Sequence, residues 1–173
     1  MTTRQDIVAY ARTLVGTRFQ HQGRTPGRAL DCVGVVSVIA KHFGLTEHDY
    51  TGYSNRPDGF SLTREFDSCL HRITHAQVQP GDVLTFWCEA PGLVQHAAVC
   101  TDRGLVHATI AYRKVVEQSI DQYWQERVAV AYKFPNIDSS PHPGRFPWRT
   151  VDPEVLRRFQ QQQAAMGIPC CGG

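Results

Sequence analysis

Asp31-Cys32-Val33-Gly34-Val35-Val36-Ser37-Val38-Ile39-Ala40 joins one reactive side chain to an apolar run. The pattern predicts a helix from Asp31 to Phe43, ended by Gly44. Its apolar residues fall on nearly all sides, so the helix is expected at the centre of the molecule. Asp31 is a good N-cap, which puts Cys32 in the first turn, where the helix dipole favours negative charge. That matters because the thiolate is the nucleophile, and a free cysteine has a pKa of about 8.5.

A second aid to a thiol is a base, and two histidines downstream can supply one. His96 opens the apolar run Ala97-Ala98-Val99, and His107 closes Gly104-Leu105-Val106-His107-Ala108. One imidazole can take the thiol proton while a second polar group holds it in the right tautomer. Cys32, His96 and His107 fill those roles in that chain order.

The rest of the chain supplies helices first and strands second. Thr3 to Val15 reads as a helix with a capping pair, Thr3 and Asp6, and an apolar stripe of Ile7, Tyr10, Ala11, Leu14 and Val15. Thr17 to Leu30 and Thr46 to Phe60 read as loops. Ser61 to Ile73 reads as a third helix capped by Ser61. After the turn Pro80-Gly81-Asp82, strands are expected at Val83 to Cys88, Val94 to Cys100, Gly104 to Thr109, Lys114 to Glu117 and Arg127 to Phe134, with a short helix at Ser119 to Gln125. This order is α+β. From Pro135 to Thr150 the composition turns to Pro, Ser, His, Gly and Arg and reads as an extended linker. A short helix begins at Asp152-Pro153 and runs to Met166. Two parts follow: a domain over 1–134 and an arm over 135–173.

Bulk properties narrow the function. Of 173 residues, 42% are hydrophobic and 20% charged, as in a globular protein with its own core. A formal net charge of +2 and the lack of a basic block with interleaved aromatics argue against nucleic acid. No apolar stretch is long enough for a membrane helix, and the N-terminus shows no secretion signal. Cys69, Cys88 and Cys100 lie among apolar neighbours and read as buried, inert thiols. His71 and His75 are four apart but lack a third ligand, so they read as surface residues.

Four phrases in order resemble the NlpC-type cell-wall peptidases, over roughly Thr3 to Phe134. They are Leu14-Val15-Gly16-Thr17 with Asp31-Cys32-Val33-Gly34, then Pro80-Gly81-Asp82-Val83-Leu84, Gln95-His96-Ala97-Ala98-Val99, and Val106-His107-Ala108. The phrase Phe19-Gln20-His21-Gln22-Gly23-Arg24 is closer to versions found with phage tail genes. The resemblance implies a papain-like fold, with N-terminal helices on a small antiparallel sheet, to which the composition adds a C-terminal extended arm with a short helix. It implies a Cys32 nucleophile, a His96 base and an orienting His107, needing no cofactor. The implied substrate is the peptidoglycan stem peptide, cut near D-Glu and diaminopimelate. The family's tyrosine about twelve residues before the cysteine is absent here. Phe19, Gln20, His21, Gln22 and Asp31 are therefore the oxyanion and substrate candidates.

The implied setting is a phage tail tip that opens the host wall, with residues 135–173 docking on tail or hub proteins and no membrane insertion. Such a protein would be made in the host cytoplasm and act in the periplasm or wall. Two other readings stay open: a catalytically silent part of the tail tip, and an injected amidase or acyltransferase of the same broad fold. The adjacent Cys170 and Cys171 could complete a metal site shared with partner chains, or be plain tail thiols.

Overall fold

The computed structural model describes residues 1–56, 58–148 and 161. Apart from Gln161, the helix expected from Asp152 lies outside the described residues, as do Cys170 and Cys171. Helix α1 (Arg4–Thr13) carries the expected capping box, with Asp6 N–H donating to the Thr3 hydroxyl and Thr3 N–H donating to the Asp6 carboxylate. A two-residue hairpin, β1 (Arg24–Thr25) and β2 (Ala29–Leu30), interrupts the first loop. Helix α2 (Cys32–His42) follows at once, and α3 (Ser61–Cys69) comes after the long loop.

Helix α3 is shorter than its apolar stripe predicts. It ends at Cys69; Leu70 turns extended, and His71–Ile73 forms strand β3 against the last strand of the sheet. The stripe Leu62, Phe66, Leu70 fits a helix up to that point, but beyond it a strand partner satisfies the backbone that the helix would have used. The start is also capped differently. Asp58 accepts the Ser61 N–H at 2.8 Å, so the cap comes from the loop and not from Ser61. His71 and His75 thus lie on a strand and a short 3-10 turn, not on one helix face.

The remaining elements are β4 (Val83–Trp87), β5 (Val94–Thr101), β6 (Gly104–Thr109), β7 (Lys114–Gln118), α4 (Gln122–Gln125) and β8 (Val128–Lys133). With β3 they make one six-stranded antiparallel sheet in the order β3-β8-β4-β5-β6-β7. One face shares a core with all three long helices: Ile7 of α1 and Leu14 at its C-cap, Val35, Val36 and Ile39 of α2, and Leu62 and Phe66 of α3 meet Val83, Ala97, Val99 and Val106. The other face has its own core, built on Leu84, Phe86, Cys100 and Leu105 and closed by Ile120, Trp124, Phe146 and Trp148. Residues 135–148 therefore lack regular structure, as their composition implies, yet they pack. Ile137 and Phe146 are buried, and the Asp138 N–H donates to the Thr2 carbonyl at 2.8 Å.

The Pro80-Gly81-Asp82 turn locks α1 to the sheet. Buried Asp82 pairs with buried Arg4 and accepts the Gln79 N–H at 2.8 Å. Gly81 has φ +91°, and a Cβ there would meet the Arg4 Cα at 3.2 Å. No helix among the described residues is long and apolar enough to cross a membrane.

Candidate active site

Cys32 is the first residue of α2, directly after its N-cap. Asp31 does more than cap. Its Oδ1 accepts the Gly34 N–H at 2.7 Å and pairs with Arg24 Nη1 at 3.0 Å. Its Oδ2 accepts the Gln22 N–H at 2.6 Å and the Tyr53 hydroxyl. Arg24 also donates to the Tyr50 carbonyl at 2.6 Å and pairs with Asp49 at 2.9 Å. The start of the nucleophile helix is thus fastened to both long loops. Gly34 lets this happen: a Cβ there would lie 2.2 Å from the Gly23 carbonyl oxygen. Gly23 is also tight: a Cβ there would lie 2.6 Å from the Ala29 carbonyl carbon. The Asp-Cys-x-Gly phrase therefore has a packing reason as well as a chemical one.

The two histidines come from neighbouring strands that part company near them. The β5–β6 ladder runs from Thr101↔Gly104 to Val99↔Val106 and stops there. Beyond its end the Ala97 N–H faces the Cys32 sulfur, and His96 Nε2 lies 2.6 Å from His107 Nδ1. His107 is fully buried and His96 nearly so. Trp124 of α4 covers both, its ring centroid 5.3 Å from that of His96 and 5.0 Å from that of His107.

Burial sets the charge states. The Cys32 thiol is pushed up to about 12, first by burial and then by the Asp31 charge, while the Ala97 and Val33 amides pull the other way. His96 is lowered well below the ordinary imidazole value by burial and by His107. His107 is lowered to about 4 by burial, opposed by Gln118. Burial thus disfavours the charged form of all three groups, the thiolate and both imidazoliums alike.

The other expected site residues divide. His21 and Gln22 gather at Asp31, but both side chains donate to the Tyr53 carbonyl, at 3.1 and 2.9 Å. Gln20 is exposed, and Phe19 packs against the main core. Arg24, Tyr53, Gln118 and Trp124 belong to the site and were not anticipated. The pair Tyr123-Trp124 behind the N-cap Asp121 was a readable signal for one of them; Tyr53 arrives through loop folding alone. Cys100 is buried as expected, whereas Cys69 and Cys88 are only partly covered. Among the described residues no group of three or more His, Cys, Asp or Glu could hold a metal ion.

Comparison with known proteins bears on this arrangement. A profile of the NlpC/P60 family matches residues 16–133, well over half of the chain. A search of curated proteins finds no match. Among solved structures, the NlpC/p60 domain of peptidoglycan hydrolase SagA superposes with a TM-score of 0.55 at 24% identity, over 77% of this chain and 100% of that one. NlpC2 from Trichomonas vaginalis gives 0.60 at 18% identity, over 76% of this chain and 46% of that one. An NlpC/P60 family protein from Bacillus cereus gives 0.57 at 20% identity, over 76% and 40%. The chain spans less than half the length of the latter two. At these identities the structures show a shared fold, and the profile shows the kinship: this chain belongs to the NlpC/P60 family.

Proposed function

We propose that the protein is a cysteine endopeptidase that cuts peptidoglycan stem peptides. The observation that carries this reading is the buried 2.6 Å bond between His96 and His107, with the amide of the next residue, Ala97, on the sulfur of a cysteine at a helix start. Cys32 Sγ attacks the amide carbonyl as His96 takes its proton. The Cys32 N–H, in the first turn, has no acceptor within its helix and is free for the oxyanion. The imidazolium of His96 then protonates the departing amine, and His96 as base activates the water that hydrolyses the thioester. His107 orients His96 throughout. The peptidoglycan hydrolase SagA, whose domain shares the fold, supports the substrate class. The test is digestion of purified peptidoglycan and muropeptides by wild type and Cys32→Ala, read by mass spectrometry. Fragments made only by wild type are expected, with masses placing the cut beside D-Glu and diaminopimelate. A folded wild type that releases nothing overturns the reading.

The same reading sets the protein at a phage tail tip, acting on the host wall during infection, supported by the phrase Phe19 to Arg24. Because residues up to Trp148 pack on the domain, it assigns docking on tail proteins to the arm beyond Trp148. Particles carrying Cys32→Ala are expected to assemble but to lyse wall poorly. Wild-type infectivity of such particles would favour a silent structural component instead.

A further inference from the structure

The orienting histidine leaves one atom unexplained. His107 Nε2 is buried without a well-aligned hydrogen-bond partner, although its Nδ1 meets His96. Tautomer arithmetic makes this atom important. To take the Cys32 proton at Nδ1, neutral His96 must carry its own hydrogen on Nε2. That hydrogen points at His107 Nδ1, which must then be bare, so the His107 hydrogen sits on Nε2. A buried N–H needs an acceptor, or the desolvation cost pushes the pair to the opposite tautomer.

The register of β6 and β7 brings one candidate there. Leu105 stands opposite Gln118 and His107 opposite Val116, so Gln118 is the diagonal neighbour of His107 on the same sheet face. A glutamine is long enough to span a diagonal. Of its neighbours, Trp124 presents a ring, and Leu105, two residues back on its face, is apolar. Gln118 acts on the His107 imidazole as an acceptor does, favouring its protonated form.

We propose that Gln118 is a positioning residue: its side-chain carbonyl accepts the His107 Nε2 hydrogen and thereby sets the tautomer of both histidines. Cys32, His96, His107 and Gln118 form one proton-ordered chain. This rests on the peptidase reading for its catalytic effect, but the tautomer is observable without catalysis.

The test is nitrogen-15 NMR of the histidine rings in wild type, Gln118→Leu and Gln118→Glu, with stem-peptide hydrolysis measured alongside. Wild type is expected to show His107 protonated at Nε2 and bare at Nδ1. Gln118→Leu should show mixed or reversed tautomers and lose about tenfold in kcat at nearly constant KM. Gln118→Glu keeps an acceptor and should keep the wild-type tautomer, which also serves if the leucine variant folds poorly. Finding His107 protonated at Nδ1 in wild type, or an unchanged tautomer in Gln118→Leu, overturns the proposal. Loss of the peptidase reading alone would show as the expected tautomers in a protein that cuts no stem peptide.

Discussion

Three histidines, His75, His96 and His107, are held below the ordinary imidazole value because burial disfavours their charged forms. The unfolded chain's imidazoles titrate near 6.5, whereas His75 and His107 do so at about 4 in the folded protein. Between those values the unfolded state binds more protons, so folding stability is full above about pH 6.5 and declines as pH falls toward 4. Thermal midpoints should be flat on the neutral side and drop steadily on acidification, with a shallower drop in His75→Gln. The same neutrality should place the acid limb of kcat/KM below the ordinary imidazole value, which a pH–rate profile reads directly. At Tyr53, removing the hydroxyl that Asp31 accepts should cost about 1 kcal/mol in Tyr53→Phe and speed amide exchange over residues 46–56. That Cys32 opens α2, and that His96 and His107 come from strands, was legible from the N-cap and the apolar runs around them. Tyr53 and Gln118 were not, since an ordinary tyrosine in a loop and a glutamine on a strand gain meaning only from register and loop closure.

Elements tell a similar story about what periodicity can and cannot carry. The extent of α2 was readable because its apolar residues, N-cap and terminal glycine agree. The end of α3 was not: Leu70 and Ile73 suit a helix stripe and a strand equally, and the β8 partner that decides between them lies sixty residues downstream. The site depends on α2 seating firmly, and Gly34→Ala tests this. The added carbon would meet the Gly23 carbonyl oxygen at 2.2 Å, a backbone atom that cannot swing aside. Overpacking of this kind costs about 1–3 kcal/mol. The variant should show a lower thermal midpoint and a displaced first loop, with activity falling more than stability. At the turn that locks α1 to the sheet, Asp82→Ala would strand the Arg4 charge in the interior, and unpairing a buried ion costs about 3–5 kcal/mol. Chemical denaturation should show the loss.

At the scale of the molecule, composition marked residues 135–150 as a linker, yet Phe146 and Trp148 close the core on the outer face of the sheet. Proline and glycine report backbone habit, and an extended chain can be fastened by two aromatic anchors as easily as it can hang free. A chain ended after Trp148 should therefore fold with the full-length thermal midpoint. One ended after Phe134 should lose about 3–5 kcal/mol, the usual cost of deleting a buried aromatic. Calorimetry of the two truncations checks this. The location of that closing segment also has a bearing on how the protein is born. A ribosome delivers the chain from its first residue onward, so all eight strands emerge before the piece that seals their outer face. For the interval in which 135–148 is still in the exit tunnel, the outer face of the sheet has Ile120 and Trp124 in place but lacks Phe146 and Trp148, so part of its apolar core faces water. The emergence of 135–148, not the formation of the sheet, ends the period in which that face is sticky.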